Sequence, residues 1–351
     1  MSIELKTTVV GSYPMPEWLK LYPTRQTLID AVMVVLKTQE LAGIDVVTDG
    51  ELMRFDVNHP ETNGMIEYFV RAMSGVDESL TRTELEEYRK RQDTAYRLRP
   101  AGIVRGPIGE GTLHLAEDFA LVRRLTNKPL KFTVTSPFML AQVLMDAYYH
   151  DRQRLTMAIA QVLANQVRSL HADIIQIDEA NVTGHPELAE LAAESINVVL
   201  RAIPEGVEKA VHLCFGNYGG QRIQRGRWLE LLPFMNALEC DHLVLEFARP
   251  GYDELPVVRE VRPEIALGIG VIDIKDNVVE SPEEVARNIE RIVSVVGERR
   301  LRYVHPDCGF WMLPRSVANR KMRNLVLGRD LFLGEYRGRL TESGPELAEQ
   351  R

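Results

Sequence analysis

KAVHLCFG, residues 209–216, is an apolar run of strand length that ends on a glycine and carries a histidine and a cysteine two positions apart. Runs of the same kind lie on both sides of it. Downstream are DHLVLEFA (241–248), IALGIGVID (265–273) and RYVHPDCG (302–309); upstream are TTVVGS (7–12), DVVTDGE (45–51), LKFTVTS (130–136) and ADIIQIDE (172–179). Each is short, rich in Val and Ile, and closed by polar or glycine residues, the pattern of a strand buried on both faces.

Between these eight runs lie segments with helical periodicity, at 27–42, 151–170, 187–203, 226–238, 282–297 and 315–328. Ser281-Pro282-Glu283-Glu284 supplies good first-turn residues for one of them. Strands alternating with helices imply a parallel sheet covered on both faces. Eight such units suit a closed (β/α)8 barrel better than an open doubly wound sheet. The charged stretch 52–129, with ELEEYRKRQ (84–92) and an extended piece RLRPAGIVRG (97–106), breaks the pattern. It is expected to be an insertion between the second and third strands, a helical excursion plus a hairpin. Residues 1–337 then form a single barrel domain, and the polar segment 338–351 a peripheral tail.

The 351 residues are 45% hydrophobic and 26% charged, as in ordinary globular proteins. A net charge of −8 repels phosphate backbones, and no basic helix interleaved with aromatics offsets it, so nucleic acid is excluded as a partner. No signal-like or membrane-spanning apolar segment occurs in the sequence. Three cysteines, Cys214, Cys240 and Cys308, are too few and too odd for a disulfide framework and point to a reducing cytoplasm.

Active sites of parallel barrels are built at the C-terminal ends of the strands. Those ends are rich in metal-type ligands here. His212 and Cys214, two apart, face the same side. Glu246 lies near the end of the next strand and Cys308 at the end of the last. One histidine and two cysteines make a zinc environment that a carboxylate completes to a tetrahedron. Ligands drawn from several strands favour a catalytic zinc over a structural one. Any one of these residues alone is more often a core histidine or a small buried thiol. Cys240, at a helix end without a His or Cys neighbour, is expected to be structural.

VVGSYP (9–14), TDGE (48–51), IIQIDEA (174–180), HLC (212–214), LVLE (243–246) and HPDCGF (305–310) occur in the order and spacing of the catalytic domain of cobalamin-independent methionine synthases, which the chain resembles over nearly its whole length. The resemblance implies a zinc-containing (β/α)8 barrel with His212, Cys214, Glu246 and Cys308 as ligands. It implies that zinc binds a substrate thiol as thiolate for attack on an electrophilic carbon, with Glu246 leaving the metal when the sulfur arrives. It further implies an amino-acid site in which Gly11 and Ser12 hold a carboxylate while Glu51 and Asp178 face an ammonium group, as homocysteine requires.

The chain also departs from that family. SPFMLAQVLMDAYY (136–149) lacks the tryptophan expected to stack on a pterin, leaving Tyr148 or Tyr149 as partial substitutes. Where the family has an Asp-Ile-His run, this chain reads Asp273-Ile274-Lys275. Asp273 and Lys275 are therefore candidate catalytic residues, with Lys275 handling a proton or neutralising an anion. These departures resemble the short members of the superfamily, which include epoxyalkane:coenzyme M transferases, and there His59, Asn63 and Arg105 of the insertion are candidates for the donor side. The expected function is zinc-dependent methyl transfer to a thiol, most simply homocysteine to methionine. The alternative is addition of a zinc-bound thiolate to an epoxide. Partners are a small thiol and an alkyl donor, the latter a folate, a small methylated compound or a methyl-carrier protein.

Overall fold

The structure, a computed structural model, describes residues 4–58, 64–91, 97–217, 224 and 226–334. Its strands in chain order are β1 (Lys6–Thr7), β2 (Ser74–Asp77), β3 (Ile103–Gly109), β4 (Lys131–Thr135), β5 (Met145–Asp146), β6 (Ile174–Glu179), β7 (Glu208–Leu213), β8 (His242–Leu245), β9 (Ala266–Ile272) and β10 (Leu301–Pro306). Seven of them form one parallel sheet in the order β1-β10-β9-β8-β7-β6-β4.

The eighth stave closes the ring. Val46 bridges Thr8 on one side and Val47 bridges Leu130 on the other, both in parallel sense. Four backbone bonds hold it: Asp45 N–H and Val46 N–H to Thr7 O, each at 3.2 Å, Val47 N–H to Pro129 O at 2.9 Å and Lys131 N–H to Val47 O at 2.9 Å. The expected (β/α)8 barrel is thus the observed fold. The run 45–51 pairs over only two residues because Gly50 and Glu51 turn into left-handed backbone, at φ 69° and 59°.

Val10, Val46, Ile174, Ala210, Val244 and Tyr303, from six different staves, pack into one cluster inside the barrel. A larger apolar layer lies between the sheet and the helices. Complete burial of one Val, Leu or Ile stabilises by about 1.5–3 kcal/mol, which explains why β4, β6 and β9 are buried at every position. Since Ile174, Ala210, Val244 and Tyr303 point inward, strand alternation also points Gln176, Asp178, His212, Glu246 and His305 inward, nearer the mouth.

The helix Pro282–Val296 starts where the sequence places it. Ser281 Oγ accepts from Glu284 N at 3.2 Å and Glu284 Oε2 accepts from Ser281 N at 2.7 Å, a reciprocal cap that satisfies two first-turn donors. Gly297 ends it at φ 83°.

Within 52–129, β2 and β3 pair antiparallel with the helix Arg82–Tyr88 between them, and β5, from beyond this stretch, adds to β3 in parallel sense. This is a three-stranded sheet rather than a plain hairpin. The last helix of that stretch, Leu115–Arg123, is tied to the outer layer: Leu115 N–H donates to Gln166 at 3.0 Å, and Thr126 just beyond it donates to Glu40 at 2.7 Å. It therefore takes the place of the outer helix following the second stave. His59, Asn63 and the tail 338–351 lie outside the described residues. Among the described residues, no helix is long and apolar enough to cross a membrane.

Asp118, on that last helix, accepts a hydrogen bond from the Tyr68 hydroxyl, and burial pushes its pKa up to about 6. A carboxyl whose folded pKa is raised contributes stability below its unfolded value, near 4, and loses it as pH rises through 6. Asp118→Asn is expected to stabilise the protein by about 1–2 kcal/mol at pH 8, a gain that vanishes below about pH 4. Urea unfolding at both pH values checks this.

Candidate metal and amino-acid site

At the mouth of the barrel, the register sets Asp178 of β6 opposite His212 of β7, and His212 opposite Val244 of β8. His212 is 2% exposed, and its Nδ1 lies 2.9 Å from Val244 O, a contact that fixes the ring with Nδ1–H as donor. Its Nε2 is left buried without a hydrogen-bond partner. Two residues on, Cys214 leaves the end of β7, and Cys308 follows the end of β10. One ligand atom from each of the three residues lies within 4.8 Å of the other two, the one such His/Cys/Asp/Glu group among the described residues.

The two Sγ atoms are 3.8 Å apart. A disulfide would need about 2.05 Å, whereas a tetrahedral zinc with bonds of about 2.3 Å to sulfur separates its sulfurs by about 3.8 Å. Spacing, donor type and the orphaned imidazole nitrogen all fit zinc. The hydrogen bond with Cys308 and burial hold the Cys214 thiol well above the usual range. A divalent cation reverses that preference. Cys240 is buried elsewhere, with its pKa pushed up to about 12 by burial.

Glu246, expected beside these ligands, lies outside the group. It is fully buried just beyond β8; one oxygen accepts from Phe215 N at 3.0 Å and the other from Lys275 Nζ at 2.7 Å. The side chains of Lys275 and Glu246 are 2% and 0% exposed, so this is a dry ion pair. Burial opposes the charge of Lys275, but Glu246, Cys214 and Cys308 more than offset it and raise its pKa. Asp273 serves the loop: it accepts from Lys275 N at 2.8 Å and pairs with Arg249 at 3.0 Å.

The four residues expected to hold an amino acid gather beside the imidazole. Glu51 bends over Gly11 so closely that a Cβ there would fall 2.2 Å from Glu51 Oε1. A side chain at position 11 would therefore displace the Glu51 carboxylate. Ser12 packs against Gly309, next to Cys308, where a Cβ would come within 1.9 Å of Ser12 Oγ. Glu51 accepts from Thr133 Oγ1 at 3.0 Å and pairs with Arg54 at 3.3 Å. Asp178 is 2% exposed; Oδ1 accepts from Gln176 at 2.7 Å and Oδ2 has no partner. Burial and the nearby Glu51 push its pKa up to about 6.

Other candidates stand apart from this group. Arg105 pairs with Asp77 at 3.3 Å and Glu84 at 2.8 Å within the small sheet. Tyr149 accepts from Ile108 N at 3.0 Å, and Tyr148 lies edge-on to it, 47% exposed.

Three residues absent from the sequence expectations support the site. Arg54 donates to Thr133 O and Oγ1, both at 2.6 Å, and its position three residues after Glu51 was the available signal. Thr133 itself carried none. Asp307, inside HPDCG, accepts from the backbone N–H groups of Phe247, Ala248 and Arg249 at 3.0, 2.8 and 2.6 Å, fixing the loop that follows Glu246.

The chain is similar to known proteins over nearly its whole length. The family model described as the catalytic domain of cobalamin-independent synthase matches residues 5–328. Proteins named methionine synthase from Sulfurisphaera tokodaii and Thermococcus kodakarensis are each 28% identical; the alignments cover 95% and 94% of this chain and 94% of each relative. Among solved structures, a B12-independent methionine synthase from Shewanella sp. W3-18-1, in complex with selenomethionine, superposes with a TM-score of 0.75 at 22% identity, covering 98% of this chain and 100% of that one. A putative vitamin-B12-independent methionine synthase from Listeria monocytogenes gives 0.68 at 20% identity, covering 92% and 96%.

Proposed function

Because this chain belongs to the cobalamin-independent synthase family through its catalytic domain, we propose that it transfers a methyl group to the sulfur of homocysteine, giving methionine, with zinc held by His212, Cys214 and Cys308. The observation that carries the proposal is the juxtaposition of this N/S/S group with the partnerless, buried oxygen of Asp178. One end of the site suits a thiol and the other suits an ammonium group, and the relatives named methionine synthase are of nearly the same length.

A zinc ion in this group supplies one thing, a preference for the thiolate form of the substrate thiol near neutral pH. The remaining work falls to the chain. Asp178 takes the substrate ammonium on Oδ2, and Glu51, steadied by Thr133 and Arg54, faces it from the stave on the other side of β4. Gly11 keeps the space over which Glu51 bends, and the backbone at Gly11 and Ser12 receives the substrate carboxylate. With three points held, the sulfur is directed at the metal group.

The test is a turnover assay of zinc-loaded protein with homocysteine and a panel of methyl donors: a methylated folate, a methylated corrinoid protein and small methylated compounds. Methionine is expected with one of them. Alkylation of coenzyme M by an epoxide, with no methionine from any donor, would overturn the proposal in favour of the thiolate–epoxide reaction. The paired carboxylates argue against that outcome, since they repel a sulfonate.

A further inference from the structure

We infer that in this chain Lys275 keeps Glu246 out of the metal's coordination, so that His212, Cys214 and Cys308 are its only protein ligands and the fourth position is left for the substrate sulfur. The inference rests on the proposed metal site and changes the ligand set that the family resemblance implies.

Three observations carry it. Both oxygens of Glu246 are already engaged, one by Phe215 N at 3.0 Å and one by Lys275 Nζ at 2.7 Å. The pair is dry, at 0% and 2% exposure, so moving the carboxylate to the metal would strand a buried ammonium, and stripping one partner from a buried pair is strongly unfavourable. Lys275 is also anchored from behind: Asp273 accepts its backbone N–H at 2.8 Å, and Arg249 pairs with Asp273 at 3.0 Å. The ammonium is delivered to Glu246 by a fixed loop.

Charge points the same way. Two thiolates neutralise a divalent cation, leaving a neutral centre that accepts a substrate thiolate more readily than one already carrying a carboxylate. Lys275 is thus a positioning residue, acting through Glu246, and it explains why lysine stands where the family has histidine.

The test replaces zinc by cobalt(II), whose visible spectrum reports its ligands, and measures zinc affinity by competition with a chromophoric chelator. The double variant Glu246→Gln/Lys275→Met removes the pair without stranding a charge. It is expected to keep the wild-type cobalt spectrum and a zinc affinity within about threefold, whereas loss of a true ligand costs about 100-fold or more. Lys275→Met alone frees Glu246 and is expected to shift the spectrum, a shift abolished by adding Glu246→Gln. Lys275→Arg, which preserves the ion pair, should match the wild type.

A double variant that loses zinc affinity about 100-fold or more with an altered spectrum would show Glu246 to be a ligand already, and a Lys275→Met protein spectroscopically identical to wild type would show that Lys275 is not what keeps Glu246 off the metal; either overturns the inference. The metal site itself is judged separately, by whether Cys308→Ser loses the metal.

Discussion

Cys308→Ser is expected to weaken zinc binding by about two to three orders of magnitude while leaving the circular dichroism spectrum and unfolding midpoint close to those of the wild type. Structural zinc sites bind with about 10–16 kcal/mol over four ligands, so one ligand carries about 3–4 kcal/mol, and each 1.4 kcal/mol is tenfold in affinity. Serine is a poor substitute because its hydroxyl does not ionise near neutral pH, while the cysteine thiol does so on meeting the metal. The fold is spared because Cys308 lies beyond the last residue of β10 and is only half-buried. His212→Ala is expected to lose as much affinity, with a greater cost in stability, since His212 is inside the barrel and its Nδ1 satisfies Val244 O. Metal analysis after dialysis decides it: one zinc per chain retained in both variants would remove the basis for the proposed chemistry.

Asp178→Asn should lower kcat/KM for homocysteine by about 100-fold or more. The substitution keeps the shape and the contact with Gln176 but removes the charge that faces the ammonium, and breaking one partner of a buried pair costs about 3–5 kcal/mol. A thiol without an amino group should be used equally well by variant and wild type, and this separates substrate recognition from general damage. The pH profile gives a second readout. With its pKa near 6, Asp178 gains a proton as pH falls through that value, so wild-type kcat/KM for homocysteine should drop on the acid side of pH 6. That limb should be missing in Asp178→Asn. Equal losses for homocysteine and the amine-free thiol would place the residue outside substrate binding.

The barrel was legible because its determinants are local. Eight Val/Ile-rich runs such as IIQIDE and ALGIGVI can only be strands covered on both faces, and their alternation with capped amphipathic helices leaves few ways to arrange them. The second run misled in detail. DVVTDGE has strand composition throughout, yet the left-handed turn at Gly50 and Glu51 ends the pairing after Val47 and swings Glu51 over Gly11. The insertion was marked by its charge, but its three-stranded sheet was hidden because the third partner, β5, is two residues long and lies after β4.

In the site, His212 and Cys214 were legible from a spacing of two along one strand, and Cys308 from its place at the end of another. The sequence also determined that ligating and acidic residues crowd the strand ends, and hence that the mouth of the barrel is where chemistry belongs. Tertiary structure alone decided how those residues are shared out. Glu246 and Lys275 are 29 positions apart and meet because neighbouring parallel staves bring the loops after β8 and β9 to the same rim. Arg54 reaches Thr133 across 79 positions, and Asp307 binds the loop after Glu246 from the far side of β9. The reason is physical: strand periodicity fixes which face a side chain takes, but whether a carboxylate meets a metal or an ammonium depends on which loop arrives opposite it, and no spacing along one chain segment encodes that.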